Sequence, residues 1–264
     1  MEITREFLAG RPLSYSSLKN FDKSPLHYVN YITAERKRTE AFVFGSLLHF
    51  LVLEDPEDLD EFFVIQPPFN KRSKQGKEDF EKWAEENKGR DIITEDQLKT
   101  AELMKQAIYN NPVSRKYLDG LTETEVSCKW EAEGLPLISK IDGKGSVPGV
   151  KYLFELKTAV TADPREYFKK SFNFGYELQQ GVYMESPEGQ GYQTFVTVAI
   201  EKTAPYGISV NLSTNELLQY GTKEFYRLLE YFNYCLDRNL WSQGYEFWSI
   251  PGTFPLDLPG WAKR

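Results

Sequence analysis

Two short segments decide the predicted fold: residues 140–143 read Lys-Ile-Asp-Gly, and residues 152–158 read Tyr-Leu-Phe-Glu-Leu-Lys-Thr. The second segment is typical of a buried strand, in which successive side chains alternate between the two faces of a sheet. Glu155 and Lys157 therefore share one face, and their apolar neighbours take the other. Because burying an unpaired charge is costly, we expect the polar face to line a cleft, to form an ion pair or to hold a cation.

The spacing of the acidic residues favours a cation. Asp142 ends one predicted strand and lies thirteen positions before Glu155 (155 minus 142), which allows a hairpin that returns Glu155 to its side. Two carboxylates that converge in this way supply the hard oxygen ligands that Mg²⁺ requires. Lys157 would then lie close enough to polarise an attacking water or to neutralise charge on a phosphate. A surface hairpin with a salt bridge is the alternative interpretation.

Composition limits the class of protein. The 264 residues can form one sizeable domain, and a net charge of −7 argues against nonspecific coating of nucleic acid while allowing a local basic groove. Cys128 and Cys235 lack metal-binding spacing, so we expect a reduced intracellular protein. The longest apolar stretch, residues 42–53, is too short to span a bilayer, so no membrane partner is expected.

Residues 1–120 are predicted to be a mainly helical section. Ser24 before Pro25 is typical of an N-cap followed by a first-turn proline, and Thr94 with Gln97 is typical of a capping box. We predict helices over residues 25–31, 40–53 and 95–109, the second of them amphipathic, and a short edge strand over 62–65.

From residue 123 the apolar period changes to two, which indicates strands. Predicted strands cover residues 123–131, 135–142, 152–158, 194–200 and 208–212, and predicted helices cover 163–172, 176–184 and 215–239. We therefore expect a single domain over 1–264, with an α/β core over 121–212 and a C-terminal helix and tail over 213–264.

Other predicted elements carry further candidate residues. Gly45 lies one helical turn before His49, where a missing side chain lets a group approach the ring, and histidine can bind a metal or position a phosphate. Gln179 and Tyr183 fall at i and i+4 and share one helix face. The alternatives are a histidine at the core edge and two packing residues. Glu125, on the polar face of a neighbouring strand, is either a further metal-site carboxylate or a solvated residue.

The most basic run of the chain is residues 70–77, Asn-Lys-Arg-Ser-Lys-Gln-Gly-Lys. Lys71, Arg72, Lys74 and Lys77 are candidate DNA contacts, because clustered cations bind phosphates and the glycine among them permits close approach. A soluble loop is the alternative.

Taken in order, these motifs resemble the PD-(D/E)xK nuclease superfamily, in the branch that includes the RecB nuclease domain and lambda exonuclease. The set is Gly45-x-x-x-His49, Asp142, Glu155-x-Lys157 and Gln179-x-x-x-Tyr183. A closer resemblance is to the RecE (exodeoxyribonuclease VIII) family, carried by residues 14–19, 24–28, 45–49 and 72–77. It implies a restriction-endonuclease-like α/β fold with a mixed central sheet flanked by helices, Mg²⁺ with Mn²⁺ as a substitute, and 5′-to-3′ digestion of duplex DNA ends.

The resemblance also implies a role for each matching residue. The implied metal ligands are His49, Asp142, Glu155 and the carbonyl of Leu156, the implied catalytic lysine is Lys157, and Gln179 and Tyr183 would support the site and the DNA backbone. The chain departs from the family pattern twice: Ile141 stands where the name motif has proline, and the net charge of −7 is unexpected for a DNA enzyme. The first change is conservative, because that proline is not a ligand.

Three functions, two enzymatic and one non-catalytic, agree with these motifs. The leading hypothesis is an Mg²⁺-dependent exonuclease that acts on duplex DNA ends in phage-type recombination or DNA repair. A RecB-like single-strand or flap nuclease would share the same metal site, and a non-catalytic DNA-end binding module would share the fold. By resemblance, a toroidal homo-oligomer and a single-strand annealing protein are the expected partners besides DNA. The resemblance also implies a cytoplasmic location, in a bacterium or a phage-infected host cell.

Overall fold

The computed structural model describes residues 3–35, 38–70 and 72–249. The α-helices are α1 Arg5–Gly10, α2 Tyr15–Lys23, α3 Pro25–Thr33, α4 Glu40–Leu53, α5 Leu59–Phe62, α6 Lys74–Glu86, α7 Glu95–Asn110, α8 Pro112–Asp119, α9 Pro164–Asn173, α10 Tyr176–Glu185 and α11 Asn215–Arg238. The strands are β1 Phe63–Ile65, β2 Asp91–Ile93, β3 Leu121–Ala132, β4 Leu135–Val147, β5 Val150–Ala159, β6 Thr194–Glu201 and β7 Ile208–Leu212. None of the helices in these ranges is long and apolar enough to cross a membrane.

The central sheet has five strands in the order β3-β4-β5-β6-β7. Strands β5 and β6 are parallel and the other neighbouring pairs are antiparallel, so the sheet is mixed. The predicted α/β fold with a mixed sheet flanked by helices is therefore confirmed. A separate pair, β1 with β2, is parallel, and its second strand was not predicted from the sequence.

Helices cover both faces of the sheet. Leu153 of β5 and Phe195 of β6 pack in a core with helices α1, α2, α3, α10 and α11. Phe154 and Leu156 of β5 pack in a second core with α4, α7 and α8. Burial on both faces explains why β5 and β6 are nearly continuous apolar runs, as is usual for a parallel pair.

Strands β4 and β5 form a fork that positions the site. Their ladder covers residues 143–147 of β4 and 150–154 of β5 and ends at Gly143 opposite Phe154. Beyond this point β4 continues along β3, while β5 continues along β6. The free edge of β4 is covered in part by Leu13, whose N–H donates to Pro136 and whose carbonyl accepts from Ile138. The polar motif of β5 therefore lies where two strands separate.

Most predicted elements match, and the differences have local causes. Helix α4 has the predicted bounds, but it buries Leu47, Leu48 and the run 50–53 on several sides, because it packs between β5, β2 and α7. Strand β4 extends five residues past the predicted end at Asp142 (147 minus 142) before the turn. The part of the basic run from Lys74 to Lys77 is not loop but the first turn of α6, capped by Ser73.

Candidate active site at the fork of the sheet

Four elements bring the predicted residues together. Helix α4 supplies His49, β4 supplies Asp142 next to the fork, and β5 supplies Glu155 and Lys157. Helix α10 supplies Gln179 and, one turn later, Tyr183. Hydrogen bonds and an ion pair join all six residues through β5.

The main chain of Leu156 ties Asp142 to His49. The Leu156 N–H donates to Asp142 Oδ2 at 2.8 Å, and the Leu156 carbonyl accepts from His49 Nε2 at 2.6 Å. These groups would have paired with β4 if the ladder had continued, and buried main-chain groups need partners. The fork is thus stabilised by the side chains that form the site. The Leu156 carbonyl, an implied metal ligand, is held by His49 here.

The contact with Leu156 fixes the tautomer of His49. A carbonyl only accepts, so Nε2 carries the proton, and in the neutral ring Nδ1 keeps its lone pair. Burial lowers the pKa of His49, and the nearby Lys157 lowers it further, which favours the neutral ring. Nδ1 lies 3.4 Å from Asp142 Oδ2. Two acceptors that face each other at this distance form an arrangement that a shared cation would stabilise.

Glu155 is buried, with 3% of its surface exposed. Its Oε1 accepts from the Lys157 ammonium and, at 2.8 Å, from Gln179 Nε2. Gln179 Nε2 also donates to the Tyr183 hydroxyl at 3.3 Å. Glu155 Oε2 is buried and has no hydrogen-bond partner among the described residues. An unpaired buried carboxylate oxygen is unfavourable unless something binds it, so the site is incomplete on this side.

Lys157 lies between Glu155 and an aromatic ring. Its Nζ is 5.0 Å from the centre of the Tyr176 ring, a cation–π contact. Burial alone would lower the pKa of Lys157, but the carboxylates of Glu155 and Asp142 outweigh it and raise the pKa above its usual value. Lys157 is therefore a charged ammonium held at the fork.

Burial raises the pKa of each carboxyl group of the site. It raises the pKa of Asp142 to about 6, although Lys157 and the Leu156 N–H act in the opposite direction. Burial and the neighbouring Asp142 raise the pKa of Glu155 to about 7, and the same two causes raise the pKa of Glu125 to about 7. These three neighbouring carboxyl groups therefore ionise less readily than usual, and a bound cation would stabilise their charged forms.

A cluster of potential ligand atoms lies beside the fork. His49, Glu125 and Asp142 each offer one atom, and these atoms all lie within 4.8 Å of one another. Glu125 lies opposite Asp142 in the β3–β4 register, between the pairs Thr124–Gly143 and Val126–Ile141, and has a left-handed backbone with φ of 51°. This cluster contains Glu125 and not Glu155, which differs from the set implied by the resemblance.

The residues present suit a hard divalent cation. Carboxylate oxygens with one imidazole are ligands that Mg²⁺ or Mn²⁺ accepts. Among the described residues, Glu155 Oε2 has no hydrogen-bond partner, and His49 Nδ1 and Asp142 Oδ2 face each other as two acceptors. Glu125, Asp142, His49 and Glu155 are the side chains that would hold the ion.

The basic run is carried by a different element, the start of α6 and the turn before it. Lys71 is outside the described residues. Arg72 is in a turn, and Lys74 and Lys77 are exposed on the first turn of α6, with Lys74 3.8 Å from Glu78. Position 76 requires a glycine for packing, because a Cβ there would lie 2.1 Å from the Asn70 carbonyl oxygen. The glycine thus lets α6 pack on the preceding loop, and the predicted approach of phosphates to it stays a prediction.

Sequence reasoning missed three residues beside the fork. Tyr176 contacts Lys157, and Thr197 of β6 is paired with Glu155. Tyr167 of α9 is buried, and its hydroxyl has no hydrogen-bond partner among the described residues. Of these three residues, only Thr197 could have been singled out from the sequence, because it is the one polar residue inside the apolar run Phe-Val-Thr-Val-Ala-Ile. The aromatic residues carry no such signal, because tyrosine is common at packed helix ends.

A mixed five-stranded sheet flanked by helices, with Asp142, Glu155 and Lys157 at a fork between strands, defines a PD-(D/E)xK-like domain. The chain belongs to the PDDEXK-like domain family of unknown function DUF3799, whose model matches residues 14–246. The closer resemblance to the RecE family stays a prediction.

A solved structure agrees with this fold. A crystal structure from Eubacterium rectale, of a protein only provisionally described as an exonuclease, aligns with a TM-score of 0.56 and 18% identity over 98% of this chain and 96% of that chain. At this identity the similarity shows the fold alone. The structure of SSO0001 aligns with a TM-score of 0.28 and 10% identity over 81% of this chain and 84% of that chain, too low to bear on the fold. No curated protein matches the chain.

The thermal stability of a Glu125 variant tests whether this residue binds a cation. Its folded pKa of about 7 is above its usual value of 4.5, so the carboxyl is neutral in both the folded and unfolded states below 4.5, and its ionisation lowers stability as pH rises from 4.5 through 7. Without metal, Glu125→Gln should therefore melt higher than the wild type at about pH 8 and equally at about pH 4. The carboxyl group of Glu125 is partly desolvated, but the residue as a whole is exposed, so water screens its charge and we expect a difference on the order of 1–2 °C.

Added Mg²⁺ should reverse this order at pH 8, because a charged ligand binds the ion and a neutral amide binds it less well. Differential scanning calorimetry in EDTA and in Mg²⁺ measures both effects. Glu131→Gln, an exposed carboxylate of the same strand, is the matched control. An equal Mg²⁺ shift in wild type and Glu125→Gln would exclude Glu125 from the metal site.

Proposed function

We propose that this protein is a metal-dependent deoxyribonuclease that hydrolyses phosphodiester bonds from the ends of duplex DNA. The observation that carries the proposal is the buried Glu155, whose one oxygen is held by Lys157 and Gln179 while the other is free beside the cluster of His49, Glu125 and Asp142. Such a set of groups suits phosphodiester hydrolysis, which needs an activated water and stabilisation of negative charge. Residues 121–212 form the catalytic core in this proposal.

Mg²⁺, with Mn²⁺ as a substitute, would lower the pKa of a bound water and offset charge on the phosphate. The side chains have separate roles around it. Lys157, charged and fixed by Glu155 and Tyr176, orients the attacking water and stabilises negative charge as it develops. Gln179 holds Glu155 in position, and Tyr183 fixes Gln179 from the next turn of α10. His49 holds the Leu156 carbonyl and directs Nδ1 at Asp142.

The direction of digestion and the biological role rest on the resemblance to the RecE family. It supports 5′-to-3′ polarity, a toroidal homo-oligomer that encloses DNA, a single-strand annealing partner, and a place in phage-type recombination or DNA repair. A RecB-like single-strand or flap nuclease is the second candidate, because the same site serves either substrate. A non-catalytic DNA-end binding module is disfavoured, since a protein without catalysis has little physical reason to keep Asp142, Glu155 and Lys157 together.

Product analysis tests the proposal directly. Linear duplexes labelled at either the 5′ or the 3′ end are incubated with the protein in Mg²⁺ and in EDTA. Release of short labelled products from the 5′-labelled strand at early times, only in Mg²⁺, is the expected result. Early release of the 3′ label would reverse the proposed polarity, and equal products in EDTA would exclude metal-dependent cleavage.

His49→Ala should slow cleavage by about 10- to 100-fold, the effect expected when one ligand or a group that orients ligands is lost. The helix should remain folded, because alanine is the better helix former. Titrating Mn²⁺ against the rate would show a weaker apparent metal affinity in the variant. An unchanged metal dependence would make His49 a structural residue that only supports Leu156.

Neutralising Arg72, Lys74 and Lys77 together should weaken DNA binding at moderate salt. Each lost phosphate contact should reduce the slope of log affinity against log salt by about 0.9. Fluorescence anisotropy across a salt series measures this slope. Lys71 completes the predicted run and would be the fourth substitution in a fourfold variant.

The matched control for the basic run neutralises three exposed lysines elsewhere in the helical section, Lys88, Lys99 and Lys116. The control should keep the wild-type slope. An equal change in both variants would mean that net charge, and not the run, sets DNA affinity.

A further inference from the structure

A large cavity lies one strand away from Glu155, at the end of the sheet formed by β6 and β7. It has a volume of about 990 Å³ and lies between α9, the edge of β7 and the start of α11. Thr197, which is paired with Glu155 on the neighbouring strand, lines its inner wall, and so does Tyr176, whose ring contacts Lys157. Neighbouring strands lie about 4.8 Å apart, so the cavity begins one strand from the catalytic carboxylate.

The outer part of the cavity exposes aromatic rings. Phe168 and Phe172 of α9 are 57% and 38% exposed, and Tyr220 of α11 is 47% exposed. The rings form a continuous series, with centroids 5.3 Å apart for Phe168 and Phe172 and 6.1 Å apart for Phe172 and Tyr220. Clustered exposed rings on a soluble protein usually mark a binding surface.

Charged and polar groups complete this cavity. Arg165 and Lys169 line it from α9, each in a surface ion pair with a residue of its own segment, and Glu216 is the acidic residue among the described lining residues. Exposed ion pairs are weak, so both cations can exchange their partners for phosphates. Tyr167 also lines the cavity, and its buried hydroxyl has no partner among the described residues.

We propose that this cavity binds the bases of an unpaired DNA strand whose backbone passes the fork. This inference rests on the proposed nuclease function and adds a substrate class to it, an end with unpaired nucleotides. Rings on which bases stack, together with cations for the backbone, are the features by which proteins hold single strands without sequence preference. A volume in the range of about 300–1,000 Å³ suits a small ligand such as one or two nucleotides. Thr197 and Tyr176 line the cavity and adjoin Glu155 and Lys157, and this proximity to the proposed catalytic site favours nucleic acid over a protein segment.

Binding to a short oligothymidylate of about 12 nucleotides tests the inference. Fluorescence anisotropy in EDTA measures affinity without cleavage, and an abasic strand of the same length isolates the contribution of the bases. Tyr220→Ala should weaken binding of oligothymidylate about tenfold or more and leave binding of the abasic strand unchanged. Phe168→Ala should have the same selectivity. Both residues are exposed, so both variants should keep the wild-type melting temperature.

Tyr234→Ala is the matched control. Tyr234 lies on the same helix as Tyr220 with similar exposure, 45% against 47%, but fourteen residues further (234 minus 220), or about 21 Å along the axis. It should bind both strands as the wild type does. Equal binding of oligothymidylate by wild type and Tyr220→Ala would overturn the inference, whatever the protein cleaves.

Three results separate this inference from the nuclease proposal. Cleavage by the wild type, with base-dependent binding lost in Tyr220→Ala, supports both. Base-dependent binding without any metal-dependent cleavage supports the subsite and excludes the nuclease. Self-association that is lost in Tyr220→Ala, seen by sedimentation and without a change in DNA affinity, would assign the rings to a contact between copies of this chain and overturn the inference.

Discussion

Lys157→Ala should abolish cleavage of linear DNA, with a loss of about 10³-fold or more, while the protein stays folded. The ammonium is the charged group that the fork holds beside the proposed metal site, and its removal takes away transition-state stabilisation that no described neighbour can replace. Asp142→Ala and Glu155→Ala should be equally inactive, because each removes a proposed metal ligand. Initial rates in Mg²⁺ beside thermal melts measure activity and folding together.

The controls for these variants separate chemistry from folding. Asp142→Asn keeps an acceptor for the Leu156 N–H, so it should preserve the fork while removing the charge that binds the metal. Glu131→Ala removes an exposed carboxylate from β3 and should cleave DNA like the wild type. Full activity in any one of Asp142→Ala, Glu155→Ala or Lys157→Ala would refute the site.

A closed circular duplex should resist digestion while the same DNA made linear is degraded. An enzyme that needs an end has no place to begin on a closed circle, so the expected difference is between complete and negligible digestion. The comparison uses one plasmid before and after a single cut by a restriction enzyme, in Mg²⁺, with acid-soluble nucleotide as the readout.

A circle with a single-stranded gap extends this test. An enzyme that requires a duplex end should leave the gapped circle intact, whereas the RecB-like single-strand or flap alternative should cut it within the gap. If the closed circle is degraded as fast as the linear plasmid, end dependence is wrong and an endonuclease with the same fold becomes the better description.

The sequence predicted the core of the fold because its signals are local. Alternation in residues 152–158 placed Phe154 and Leu156 in one core and Glu155 with Lys157 on the opposite face, as the structure has them. The capping box of Thr94 and Gln97 marks the start of α7, and both of its hydrogen bonds are present. Elements without such signals were missed: β2 has three residues, and α6 begins within a basic run that resembles a loop.

The sequence by itself determined which charged residues lie near one another along β4 and β5, because strand periodicity and hairpin length fix that proximity. Only the tertiary structure decided how they are arranged. The ladder ends at Gly143, and this allows Asp142 and His49 to satisfy the Leu156 main chain. The cluster around Glu125 and the aromatic cavity beside Thr197 depend on strand order and helix packing, which join residues far apart in sequence and leave no local pattern.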